Sequence, residues 1–536
     1  MKIIQVFSGT RVKLALLSVT LTGMMLSCTK KFDEINTDKN SVATVGPAEI
    51  PFLFTKAQST ATNSQWNYQV AQNLFSDQYA QYFACVATYF PSDRLVIRMD
   101  WVGAAFNPMY TDVMPQLQTI LQNTDPSTVE NAIANVWWVY TFHKVTDYWG
   151  PIPYFSIGQP ISSVPYDPQD KIYDDFFKRL TDAVNVLKGQ TSTTAFGGSY
   201  DIIYKGNVNK WILFANTLRL RLAMRISKVD PARAKTEAEA AYAGGVLATS
   251  PDDDALVTRS TKGSDGNGLS IMSDWNEFRM SASMESVLKG YADPRMSIYF
   301  VPAKNTGTYE GVRNGLTATQ LTEDINKADN NSHVGKRWAS PNVTDKNGVS
   351  LGSSDYLNTP QNVMCSAEAY FIRAEGALLG WNMGGTAKDL YEKGITQSLH
   401  QWGIIDATVI NNYINSTAVP VAPNDYLKSA PMTTIPVKFN TADVNIQKEQ
   451  IATQKWLALF PDGMEAWADY RRSHVLKLYP VANSDNPDIT NTTTQWIRRI
   501  PFLLSETQTN GKAVEDAVKL LNGPDKVTTP LWWDKN

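Results

Sequence analysis

The chain has 536 residues, 43% of them hydrophobic and 19% charged, with a formal net charge of −3. That balance offers no basic face of the kind nucleic acid requires, and the length leaves room for several domains or one large one. With 15 Trp and 23 Tyr, the composition suits aromatic recognition surfaces as well as an aromatic core.

The N-terminus reads as a lipoprotein export signal. Lys2, Arg11 and Lys13 form a positive region without acids, Leu14 to Leu26 is an apolar run, and Ser27-Cys28 closes it. A spanning helix needs about 20 apolar residues, so this run is too short to be one. Residues 1–27 are predicted to be removed, which makes Cys28 the lipidated first residue of a mature chain carrying a charge of about −6. Two palmitate-class acyl chains on Cys28 would hold the protein to a membrane, where a single chain would not. Residues 28–45 are polar, cannot bury a core and are expected to act as a tether. The folded domain is expected over 46–536.

Along that domain most strong periodicity is helical. Paired amphipathic segments are predicted at 106–123 with 127–146, 170–188 with 207–227, 362–380 with 386–402, and 447–458 with 462–473. Such pairs stack like tetratricopeptide repeats, each covering the face its neighbour leaves open. Between them run Gly/Asn/Ser/Asp-rich stretches at 189–206, 249–280, 302–361, 417–446 and 478–497. Loops of this length are unusual and tend to be functional. Because they are scattered, the expected fold is mainly α: one large domain of stacked TPR-like helix pairs with long loops and a few short strands.

The motifs of common chemistries are missing. His143, His333, His400 and His474 show no zinc-ligand spacing, and no P-loop occurs; the one GxSxG spacing, Gly348-Val349-Ser350-Leu351-Gly352, falls in a Gly/Asn/Ser/Asp-rich stretch and not in a strand-to-helix elbow. No catalytic residue, metal or cofactor is therefore expected. Glu465 and Asp469, four apart beside Arg471 and Arg472, read as ion pairs around a structural helix. Asp345-Lys346-Asn347-Gly348 and Asp252-Asp253-Asp254 are candidates for a structural Ca²⁺, though solvated turns explain them as well. Besides Cys28 there are Cys85 and Cys365, too few for a disulfide framework; Cys365 reads as core.

Three blocks resemble the SusD/RagB family of nutrient-binding lipoproteins, in particular its SusD-like branch. They are Thr146-Asp147-Tyr148-Trp149-Gly150-Pro151-Ile152-Pro153-Tyr154; Ile451 to Phe460 running on to Asp462 through Arg472; and Arg498-Arg499-Ile500-Pro501-Phe502 with Leu531-Trp532-Trp533 near the end. The sequence departs locally, with Phe502-Leu503 where Tyr-Pro is common and Ser473-His474-Val475 where Thr-Gly is usual. The resemblance implies a non-catalytic protein on the outer membrane, facing the cell surface. It would bind an oligomeric nutrient, an oligosaccharide or in some cases a peptide. A SusC-like TonB-dependent transporter, which such lipoproteins cover like a lid, would be its partner.

The shared blocks look like scaffold and carry no ligand residues across. Binding without bond cleavage needs aromatic platforms and hydrogen-bonding neighbours. The candidates are aromatics in loop-like context: Trp66, Tyr89, Trp101 with Asn107 nearby, and Trp275 beside Asn276.

Overall fold

The structure of the protein, a computed structural model, describes residues 45–248, 250–263 and 265–535. The expected signal peptide, Cys28 and the tether up to residue 44 lie outside the described residues. By backbone contacts Met1–Glu49 separates from Ile50–Asn536, and the compact body is the second of these.

In its first half the body carries α1 (Ile50–Ala61), α2 (Gly103–Pro108), α3 (Met114–Asn123), α4 (Val129–Trp149), α5 (Gln169–Lys188), α6 (Val208–Arg225) and α7 (Pro231–Ala243). There follow α8 (Gly268–Asp274), α9 (Ala282–Gly290), α10 (Met296–Tyr299), α11 (Ser366–Leu378), α12 (Ala387–Gln401) and α13 (Ala407–Ile414). The last four are α14 (Val444–Leu459), α15 (Gly463–Ser473), α16 (Leu504–Thr509) and α17 (Gly511–Val518). The fold is mainly α and TPR-like with a few short strands, as expected.

Caps start many of these helices. Thr128 accepts from the Asn131 amide ahead of α4, Asn207 from Lys210 ahead of α6, and Asp462 from Glu465 ahead of α15. Helix α4 is the hub. Nearly every residue on it is buried, including Trp137, Trp138 and Trp149, and such an all-round apolar surface belongs to a helix inside a core. It packs on α3 and α5, while α11 packs on α12 and α14.

Two pairings differ from the periodicity. Helix α6 packs on α5 and even more closely on α7, which the apolar pattern does not announce. Its buried face is alanine alone, Ala234, Ala238 and Ala241, so no stripe of large residues marks it. Helix α15 lies chiefly against the wide-turned stretch Gln69–Asp77 and less against α14. The expected loop at 249–280 also contains α8 and two short strands. Strand β1 (Phe83–Cys85) pairs antiparallel with β3 (Phe278–Met280), and β2 (Ala255–Val257) with β4 (Gln361–Met364). Strands of three or four residues are too short for alternation to reveal.

The three shared blocks meet in one knot. Arg471, wholly buried, donates to the carbonyls of Asp147 (2.7 Å) and Arg498 (3.0 Å) and lies over the Trp467 ring. Trp533 Nε1 donates to Asp147 Oδ1 (2.9 Å), and the Ile500 amide to the Tyr148 carbonyl (2.8 Å). Arg499 spans the Trp149 carbonyl and Asp525. Gly150, at φ 87°, turns the chain out of α4 where a side chain would be strained. These residues hold distant parts of the chain together, which is the scaffold role the sequence suggested.

Candidate ligand-binding face

The candidate aromatics lie on four segments that Glu277 and its neighbours join. Strand β1 continues into Val86, whose amide donates to the Glu277 carbonyl (2.9 Å). The two carboxylate oxygens of Glu277 accept from Gln69 Nε2 and from Tyr89 Oη, both at 2.5 Å. The Glu277 bond, more than its slight burial, pushes the Tyr89 phenol up to about 12, so at neutral pH Tyr89 is a fixed donor. Trp275 and Asn276 come immediately before Glu277, and Trp66 one turn before Gln69.

Exposure separates the platforms from the support. Trp66 is 63% exposed, Tyr89 66% and Trp275 41%. Trp101, in contrast, is half-buried against the cluster of Leu74, Cys85, Ala87 and Phe90. Its ring meets Phe90 edge-on with centroids 5.7 Å apart, and Phe90 packs on Tyr89 at 4.6 Å. The Arg98 guanidinium lies 4.2 Å from the Trp101 centroid. Asn67 Nδ2 reaches the Ala104 carbonyl (3.3 Å), which ties the Trp66 turn to α2. Asn107 is exposed near the end of α2, and its carbonyl accepts from the Thr111 hydroxyl (3.1 Å).

Asn276 takes a left-handed turn (φ 60°), and its Oδ1 accepts from Arg279. Beyond it opens a polar groove of about 420 Å³ lined by Asp274, Asn276, Arg279, Asn331, His333 and Asn342 among others. The Arg279 guanidinium is held by the carbonyls of Ala328 (2.9 Å) and Phe278 (2.7 Å), with no carboxylate bonded to it. Burial lowers it to about 10, with Asp329 partly opposing, so it stays cationic at neutral pH. Glu277, Arg279 and the 328–342 side of the groove were not legible in the sequence. They are single polar residues in long loops, without a periodic signal.

His333 adds a titratable element. Buried, it donates from Nε2 to the Ser273 carbonyl (3.0 Å), and desolvation, with Arg279 nearby, lowers it to about 3. The unfolded chain takes up this proton near pH 6.5 and the folded one does not. The stability His333 contributes is therefore present above pH 6.5 and lost as pH falls from there toward 3. His333→Gln is expected to flatten the fall in Tm on acidification, by up to about 1.4 kcal/mol per pH unit in stability. Buried Asp77 and Asp254, pushed up to about 7, have the opposite slope, and they cancel when parent and variant are compared. An unchanged acid slope would refute this reading of His333.

Asp345 Oδ1 accepts from the amides of Asn347 and Val349, both at 2.8 Å, and so closes its own turn. Asp254 Oδ1 accepts from the amide and hydroxyl of Ser366, both at 2.6 Å, at the start of α11. Among the described residues, no three His, Cys, Asp or Glu side chains gather as a metal site would require. Cys85 and Cys365 are both free and buried.

The family profile described as "SusD-like: Susd and RagB outer membrane lipoprotein" matches residues 33–534. The chain belongs to the SusD-like family. Solved relatives have the same fold over nearly their whole length. A chitin-binding SusD homologue from Flavobacterium johnsoniae is 34% identical with a TM-score of 0.80, covering 91% of this chain and 99% of its own. A SusD homologue from Bacteroides uniformis is 31% identical with a TM-score of 0.79, covering 92% of this chain and 100% of its own. Another solved chitin-binding protein is 27% identical with a TM-score of 0.74, covering 91% of this chain and 100% of its own. No curated protein matches. SusD-like proteins are outer-membrane lipoproteins that bind glycans and work with SusC-like transporters. Among the described residues no helix is long and apolar enough to cross a membrane.

Proposed function

We infer that this SusD-like protein is a lipid-anchored, surface-facing receptor that binds a neutral glycan, chitin-type oligomers first among them, and passes it uncleaved to a SusC-like transporter. The observation that carries the reading is the set of exposed rings, Trp66, Tyr89 and Trp275, on segments tied together at Glu277. An indole or phenol face buries the apolar C–H face of a sugar, while Asn276 and the polar groove offer hydrogen bonds to its edge. The chitin-binding relatives support the choice of sugar.

Titration calorimetry of the mature protein against chitooligosaccharides, cellooligosaccharides and peptides tests it. Chitooligosaccharides are expected to bind with affinities on the order of micromolar or weaker, and to be recovered intact. Steady release of shorter products, or binding confined to peptides, would overturn the proposal.

Anchoring is tested separately. Cys28→Ala is expected to release the protein from the membrane and abolish labelling by a fatty-acid probe. The wild type, extracted in mild detergent, is expected to bring a large outer-membrane barrel with it. A labelled Cys28→Ala protein would sink the lipidation assignment.

A further inference from the structure

A second cavity, sharing no lining residue with the aromatic face or the polar groove, lies between the segment 78–95, α15 and the loop 478–497. Its volume is about 80 Å³. A water needs roughly 10–15 Å³ of such space, so the cavity has room for several waters. Rings make its walls. Tyr79 packs on Trp467 with centroids 5.2 Å apart, and Tyr470 on Trp496 at 6.0 Å. Thr492, Thr493 and Gln495 stand at its more exposed edge.

What sets this cavity apart is its polar lining. Gln78 Nε2 and Oε1, Tyr79 Oη, Ser92 Oγ and Trp496 Nε1 are all buried and have no partner in the protein. Gln78, Tyr79 and Ser92 are each more than nine-tenths buried. Buried polar atoms are satisfied as a rule, and five exceptions around one cavity call for a common explanation. Several other polar groups of the lining are already engaged. Gln81 Nε2 donates to the Tyr479 carbonyl (2.6 Å) and its Oε1 accepts from Ser283, while Gln495 Oε1 accepts the amides of Thr490 and Asn491. Asp93, the one acid of the lining, accepts from the amides of Cys85 and Gly315 and from Asn314 Nδ2. No lysine or arginine lines the cavity.

We propose that this cavity is a second ligand site, taking a single neutral pyranose unit. The argument is chemical. Four donor side chains and the Gln78 carbonyl match the hydroxyl rim of a sugar, and the rings match its apolar faces. Water would satisfy the donors and leave the aromatic faces wet. An apolar ligand would leave the five atoms unsatisfied. The loop 478–497 then acts as the wall of a site, in keeping with the rarity of long loops without a role.

Calorimetry and saturation-transfer NMR with N-acetylglucosamine and glucose test the proposal apart from the aromatic face. Monosaccharide binding is expected to persist within about twofold in Trp66→Ala/Tyr89→Ala/Trp275→Ala. It is expected to fall about tenfold or more in Ser92→Ala/Trp496→Phe, while chitooligosaccharide binding there is unchanged. Loss in the first variant with retention in the second would mean that only the aromatic face binds sugar, and would overturn the proposal. So would failure of both sugars to bind the native protein. Crystals soaked in either sugar supply a readout independent of variant folding: a ring in the cavity supports the site, and ordered water alone refutes it.

Discussion

Glu368→Ala is expected to lower the unfolding free energy by about 3–5 kcal/mol, as removal of one member of a buried ion pair does. Glu368 on α11 receives both arms of Arg221 from α6, at 2.7 and 2.6 Å, and both side chains are almost wholly removed from solvent. The pair belongs to a larger buried network. Arg225 meets Glu465 (2.5 Å) and Asp147 (3.2 Å), Arg472 joins Glu375 (2.7 Å) to Asp469 (2.9 Å), and Lys455 meets Asp469 (3.0 Å). Burial alone would raise Asp469, but Lys455 and Arg472 outweigh it and hold that carboxyl well below its usual range. Its share of the stability is therefore present above about pH 4 and lost as pH falls below.

Truncating Glu368 leaves Arg221 buried with Glu465 Oε2, 3.6 Å away, as its remaining anion. The loss thus measures an uncompensated charge more than the net worth of the pair. Arg221→Met/Glu368→Leu removes both charges at similar volume and is expected to recover most of the loss. Urea denaturation of the three proteins decides this. A single variant within about 1 kcal/mol of the parent would mean that the network relaxes around the gap.

The same network shows what the sequence could and could not reveal. Glu465 and Asp469 are legible as ion-paired because their helical spacing puts them beside Arg471 and Arg472. Asp469 does pair with Arg472 on its own helix, but Lys455, its second partner, and Arg225, the partner of Glu465, are set by tertiary packing and leave no mark at short range. The helices with large apolar stripes are legible for the same local reason, and α7, whose buried face is alanine, is not. For the site, exposure of an aromatic in a polar stretch is a local property, and Trp66, Tyr89 and Trp275 do stand exposed. Trp101 follows the same pattern and instead supports Phe90. Glu277, which joins the segments, acts through β1–β3 pairing between residues about 190 apart, a relation that no window of sequence contains.

The largest functional effect is expected from removing the three exposed rings together. Each ring face that covers a sugar contributes roughly a kcal/mol or two, at about 25 cal/mol per Å² of apolar area. Trp66→Ala/Tyr89→Ala/Trp275→Ala is then expected to weaken chitooligosaccharide binding by about a hundredfold or more, with only a modest fall in Tm because Trp66 and Tyr89 are mostly exposed. Trp101→Ala is expected to differ in kind. It should cost about tenfold in affinity together with a measurable fall in Tm, since its ring fills the edge of the cluster around Phe90. Glu277→Ala separates position from contact: it leaves every ring in place but frees Tyr89 and Gln69 from their shared anchor. If the face works as a prearranged set, affinity falls although no platform has been deleted, because the rings must be ordered when the ligand binds. Calorimetry and thermal unfolding on the same samples read both quantities. A triple variant that binds within about threefold of the parent would show that the glycan occupies another surface.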